Sequence, residues 1–179
     1  NKHFFLAHYF RDTYDQNMSK LPHIMSGVTI TRCEVWVTNK RGNFEQARNI
    51  VAFMDLAEGV RVDNNHWNTY GAMQPDNAAN SLYDEVKALE GVRDIQSCNS
   101  VLDVAYNSYD IFGGQDYEKI ESARRLESSE YTLNSQLGFI SLRQALNNDE
   151  VLAVAFEYTY NGKTYQVGEF STDGIDAPK

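Results

Sequence analysis

Leu152-Ala153-Val154-Ala155-Phe156-Glu157-Tyr158-Thr159-Tyr160, followed at once by Asn161-Gly162 and then by Lys163-Thr164-Tyr165-Gln166-Val167, is the stretch on which the fold turns. Its even positions from Leu152 to Tyr160 are large and apolar or aromatic, and its odd positions are small or polar. A period of two means a strand with one face on a core. Asn-Gly between alternating runs predicts a tight hairpin, because both central residues of a type I′ turn need φ > 0, which Asn tolerates and Gly adopts freely. The returning strand is predicted over Lys163 to Ser171, with Tyr165, Val167 and Phe170 as its apolar residues.

Working outward, Leu137 to Leu142 reads as one short strand or extended segment and Asn147-Asn148-Asp149 as a polar break. At the other end Leu6, Phe10, Tyr14, Met18 and Leu21 recur at intervals of four or three, an amphipathic helix that ends at Leu21-Pro22 because the residue before proline avoids the α region. Val28 to Thr38 is dense in β-branched residues and predicts a strand; Asn39-Lys40-Arg41-Gly42-Asn43 supplies turn chemistry, and Asn49 to Leu56 predicts a second strand, buried on both faces. From Gly59 to about Gly114 the chain is rich in Asn and reads as an irregular excursion with short helices. One helix carries Leu82, Val86 and Leu89 and stops at Gly91, a second covers Val101 to Tyr106, and a third opens near Gln115-Asp116 and carries Tyr117, Ile120 and Leu126. The expected fold is α+β: residues 1–179 as a single domain, with an antiparallel or mixed sheet of the two N-terminal strands and the C-terminal β-hairpin, the N-terminal helix packed on it, and the excursion at an edge.

The 179 residues are enough for one sizeable core, and 42% hydrophobic with 12% aromatic residues is unlike a disordered acidic tail. A net charge of −9 argues against nucleic acid or an anionic membrane surface as partner, since both want clustered Lys and Arg. Cys33 and Cys98 form no CxxC or Cys/His cluster, so neither a zinc site nor a disulfide framework is predicted, and a single bridge between them is left open. No run of about 20 apolar residues is present to cross a bilayer as a helix. The chain begins at Asn1 without a charged region and apolar core of a leader, and the expectation is a piece of something longer.

Chemistry has candidates but no constellation. Asp12 with Asp15, or Asp63 with Asp76, could be paired carboxylates of a glycosidase, but the first pair lies on the polar face of the predicted helix, where charge is simply solvated. His3 and His8 are five apart, a poor spacing for two ligands on one helical face, and His23 and His66 stand alone. Ser141 lacks a GxSxG frame and Cys33 has no nearby His in sequence. Gly113-Gly114 matches no phosphate cradle, and Asp63-Asn64-Asn65 and Asp173-Gly174-Ile175-Asp176 are incomplete as calcium loops. No catalytic residue, metal ligand or cofactor is expected. Trp67 and Tyr70, in the Asn-rich excursion, are the aromatics predicted to be exposed to a partner.

Three stretches, His3 to Asp12, Gly27 to Asn39 and Arg48 to Leu56, resemble consecutive blocks of the SprA/Sov family. Glu130 to Leu133, Leu137 to Leu142, Asp149 to Phe156 and Val167 to Asp173 look like further blocks in the same order, while Val60 to about Asp110 carries little of the likeness and Cys33 stands where an aliphatic is expected. Members of that family are very large outer-membrane proteins of Bacteroidetes that form the translocon of the type IX secretion system and serve gliding motility. The resemblance implies a soluble, non-enzymatic structural or interaction module of a giant export barrel, with other secretion-system proteins or secreted cargo as partners. Long extracellular loops and short periplasmic turns in such barrels favour an outward-facing insert. The competing expectation, from the acidic balance and the Trp67/Tyr70 pair, is a carbohydrate-binding or glycan-processing domain.

Overall fold

The computed structural model describes residues 1–42, 44–54, 82–106 and 112–174. In chain order its elements are β1 (His3–Phe5), α1 (His8–Asn17), β2 (Val28–Val37), β3 (Ala47–Phe53), α2 (Leu82–Ala88), α3 (Cys98–Tyr106), β4 (Tyr117–Arg125), β5 (Tyr131–Asn134), β6 (Phe139–Leu142), β7 (Leu152–Tyr160) and β8 (Lys163–Val167). The architecture is α+β, and the chain divides into two units, residues 1–38 with 124–179 and residues 39–123.

In the first unit β7 and β8 pair antiparallel from Phe156↔Val167 to Tyr160↔Lys163, with Tyr158 stacked on Tyr165 at 5.2 Å. Asn161 and Gly162 close the turn at φ of 49° and 76°, the left-handed values an Asn-Gly hairpin needs. β2 lies antiparallel beside β7 from Val28↔Tyr160 to Val37↔Leu152, and the last two residues of β4 pair with its other edge. A separate three-stranded sheet has the order β1-β6-β5. Beside the sheet expected from the sequence there is thus a second, in which the segment around Phe139–Leu142 joins β1 and β5. With three and four residues, β1 and β5 are too short to show a period.

Both sheets and the helix feed one core of Leu6, Phe10, Val28, Ile30, Val35, Ile140, Leu142 and Phe156. Burial of each such side chain stabilises by about 1.5–3 kcal/mol. Along β2 the inward positions are first even, Val28 and Ile30, and then odd, Cys33 and Val35, because the register against β7 slips by one residue between Ile30 and Arg32. Such a bulge flips every later side chain to the other face. Where β2 departs from simple pairing, the Ile30 amide donates to the carbonyl of Ser135 in the β5–β6 connection at 2.8 Å.

The helix α1 is shorter than the period suggested. It stops at Asn17, with Met18 as C-cap; Asn17 is buried, and its carbonyl accepts the Met25 amide at 2.9 Å. Leu21 is exposed and takes no part in the core. The chain's return at Met25 ends the helix earlier than Pro22 would.

In the second unit β3 lies beside β4, and Leu82, Leu102, Tyr106 and Tyr117 form a core with Val51, Phe53 and Val86 packed against it. The expected burial of the second strand on both faces is wrong: no residue of β3 is fully buried, and its Arg48 and Asn49 are exposed. The helix expected from Gln115 to Leu126 is the strand β4. Tyr117, Ile120 and Ala123 are buried at a spacing of three, which imitates a helix. In the strand, Tyr117 belongs to the second unit's core cluster while Ile120 does not, and the alternation breaks again before Ala123, where Ser122 takes a positive φ of 50° with its amide donating to Asn49 Oδ1 at 2.8 Å.

Gly138, at φ 64°, sits so close beneath α1 that a Cβ would run into the Phe10 ring, whereas Gly162 has nothing within 4 Å of that position. Gly162→Ala is expected to cost about 1–2 kcal/mol, the left-handed backbone term alone. Gly138→Ala carries in addition an overpacking cost of about 1–3 kcal/mol. Urea unfolding of the two variants checks this; equal losses would contradict the close approach.

Candidate functional site

The slip in β2 leaves Arg32, Glu34 and Trp36 on the sheet face away from the core. Two charged side chains there need partners, and the chain beyond β8 supplies them. The returning strand ends at Val167 and not at Ser171 as expected: Gly168 turns at φ 79°, and a Cβ on it would lie 3.1 Å from the Ala155 Cβ. The backbone thus crosses directly over β7, and Phe170 becomes fully buried. The Arg32 guanidinium stands 3.8 Å from the Phe170 ring centroid, a cation–π contact. Arg32 also donates from Nη1 and Nη2 to the two Asp173 carboxylate oxygens at 2.8 and 2.9 Å, and from Nη2 to Thr172 Oγ1. Such a bidentate fork is the strong form of the ion pair.

Beside it, the nearly buried Glu34 accepts the Ser171 amide at 3.0 Å and the Ser171 hydroxyl at 2.9 Å, and Arg125 Nη1 lies 3.5 Å from its carboxylate. A carboxylate taken out of water is tolerable only when paired and hydrogen-bonded in this way. The hydrogen bonds from Arg32 hold the Asp173 carboxyl below its ordinary 3.8. On the next strand Glu157 accepts the Thr31 hydroxyl at 2.7 Å. Asp173, weighed in the sequence as part of an incomplete calcium loop, is the carboxylate half of this clasp.

The other sequence candidates fare differently. Asp12 pairs with its neighbour Arg11 at 3.3 Å on the exposed side of α1, and Asp15 is exposed on the same helix. Trp67 and Tyr70, Asp63 and Asp76, and His66 lie outside the described residues. Among the described residues no group of three or more His, Cys, Asp or Glu could hold a metal ion, and no helix is long and apolar enough to cross a membrane. The β1–β6 register brings His3 opposite Ser141, with Nδ1 and Oγ 2.7 Å apart. Sequence reasoning had no signal for that meeting of residues far apart in the chain, and its geometry is that of an exposed cross-strand pair.

In the second unit a cavity of about 440 Å³ is lined by Asn99, Asp103, Tyr117, Glu118 and Lys119 among others. The Tyr117 hydroxyl donates to Asp103 at 2.5 Å, and burial together with that carboxylate pushes the phenol well up, so it serves as a donor and not as a base. Lys119 is committed to the Ile95 carbonyl at 3.1 Å and to Glu121 at 3.0 Å. These contacts tie α3 and the 94–97 turn to β4, which is a packing role.

Cys33 and Cys98 are free thiols. Burial, with the adjacent Glu34 adding to it, pushes the Cys33 thiol up to about 12. Compared with protein-family models and with curated proteins, the chain gives no match. Fold and site together define an α+β protein whose central charged residues are clasped by its own C-terminal segment.

Because its folded-state pKa is depressed, Asp173 contributes stability that is full well above 3.8 and is lost as pH falls through that value towards the folded one. The urea midpoint of Asp173→Asn is expected below that of the unaltered protein at pH 7, with the gap closing on acidification below 3.8; a gap constant with pH would remove the clasp as its source. At pH 8, alkylation of Cys33 in the folded protein is expected to be much slower than that of a free thiol and to become fast on unfolding, read by peptide mass spectrometry.

Proposed function

We propose that the chain is a non-enzymatic structural and interaction module of a very large outer-membrane protein-export channel, of the kind that serves type IX secretion and gliding motility. The single observation that carries the reading is the ordered likeness to the SprA/Sov family. Its support from the fold is that every residue of the first unit's core, from Leu6 and Phe10 through Val28, Ile30 and Val35 to Ile140, Leu142 and Phe156, falls within a block of that likeness. So does Phe170 in the clasp. A likeness spread over surface positions would have no such packing to account for it.

On this reading the parent protein sits in the outer membrane, and the module faces outward or caps the pore. Its partners are other components of the secretion machinery or the secreted chains themselves, and the net charge of −9 suits a surface along which they pass without sticking.

Deletion of this segment from the parent protein is expected to abolish or strongly reduce cargo secretion while the barrel still reaches the outer membrane; normal secretion would overturn the reading. Mass spectrometry of peptides released by protease from intact cells tests the outward placement. Binding on a glycan array, lost on Trp67→Ala with Tyr70→Ala, would instead favour a carbohydrate-binding domain.

A further inference from the structure

We propose that the outer face of β2 in the first unit, around Arg32 and Glu34, is a peptide-recognition groove that the chain's own Phe170–Asp173 segment fills in cis. The ligand it takes in trans is an extended peptide with an aromatic residue, a hydroxyl at the next position and a carboxylate three positions beyond the aromatic. This does not rest on the export-channel reading.

The contacts are those of ligand and receptor more than those of a strand added to a sheet. The pairing of β8 with β7 ends at Val167, and beyond it the segment is held by side chains, each meeting its own receptor group. Phe170 lies against the Arg32 guanidinium, the Ser171 hydroxyl and amide meet Glu34, and the Asp173 carboxylate meets the Arg32 fork. A carboxylate matched to an arginine fork, with an aromatic side chain seated beside it, is how extended peptides are read. The receptor groups Arg32 and Glu34 stand on a strand paired along its length, which keeps them fixed when the segment leaves.

Left-handed glycines bracket the segment, Gly168 at φ 79° and Gly174 at φ 81°, and a Cβ on the first would press on Ala155 at 3.1 Å. The charges facing it are mixed: Arg32 and Arg125 against Glu34 and Glu157. Negative charge alone is therefore not what the groove selects. An acidic side chain at the Ser171 place would face the Glu34 carboxylate and be repelled, whereas the carboxylate at the Asp173 place is required.

The test uses the full chain carrying Phe170→Ala and Asp173→Asn, which removes the contacts of the cis segment with Arg32 while leaving Arg32 and Glu34 themselves unaltered, and a fluorescent peptide of residues 168–174. By fluorescence anisotropy the peptide is expected to bind the double variant at least tenfold more tightly than the unaltered protein. Its affinity is expected to fall at least tenfold when the peptide carries Asp173→Asn or Ser171→Glu. Equal binding to both proteins, no binding to the folded variant, or indifference to the peptide changes would overturn the proposal. Hydrogen exchange on the unaltered protein decides the case where the double variant does not fold. There the Ser171 amide is expected to exchange at least tenfold faster than the amides of β7, and equal rates would mean that the segment leaves only when the unit unfolds, which refutes the groove.

Discussion

Strand β2 is hydrogen-bonded on both edges, to β7 along nearly its whole length and to the end of β4, and the slip between Ile30 and Arg32 is the constraint from which the first unit follows. Val28 and Ile30 point into the core from even positions. Had the alternation continued unbroken, Arg32 and Glu34 would have followed them into an apolar interior, where an ion costs several kcal/mol even after relaxation. The extra residue turns the strand over, so that Cys33 and Val35 enter the core and the two charges leave it.

That solution creates a second requirement. The face away from the core now carries a cation, a carboxylate and an indole in the middle of a sheet, and open water does not cover it. The segment after β8 does, and its composition matches the face residue by residue: an aromatic against the guanidinium, a hydroxyl and amide for Glu34, a carboxylate for the fork. The small side chain of Ala155 and the glycine at 168 let the backbone approach closely enough for these contacts to form. The odd face of β7, where the alternation places only small or polar residues, is therefore a covered face and not simply a solvated one.

The second unit is organised by a different pairing, the helices α2 and α3 against Val51, Phe53 and Tyr117. Its polar contacts hold packing in place: Asp103 fixes the Tyr117 hydroxyl and the Ile95 carbonyl fixes Lys119.

Local pattern was enough for the features that depend on a few neighbours. The period of two from Leu152 to Tyr160, the Asn161-Gly162 turn and the β-branched run of Val28 to Val37 are written in backbone preference and alternation, and they appear where the residues say. The period failed at Tyr117, Ile120 and Ala123, which are buried three apart although they stand on a strand: Tyr117 packs in the second unit's core, and a positive φ at Ser122 breaks the alternation before Ala123. It overran at α1, where the return of the chain from Met25 to Asn17 and not a local breaker ends the helix. Of the candidate site, Asp173 was visible only as a turn residue, and Arg32, Glu34 and Ser171 carried no signal at all. Their meeting joins positions 137 and 141 apart in the chain, so it exists only once the sheet has formed and slipped by one residue. The sequence by itself thus determined which residues form the main strands and the hairpin, since those are local choices of φ and side-chain period. Only the tertiary structure decided which face each residue of β2 shows and what covers it, because one bulge reverses the faces and the cover comes from the far end of the chain.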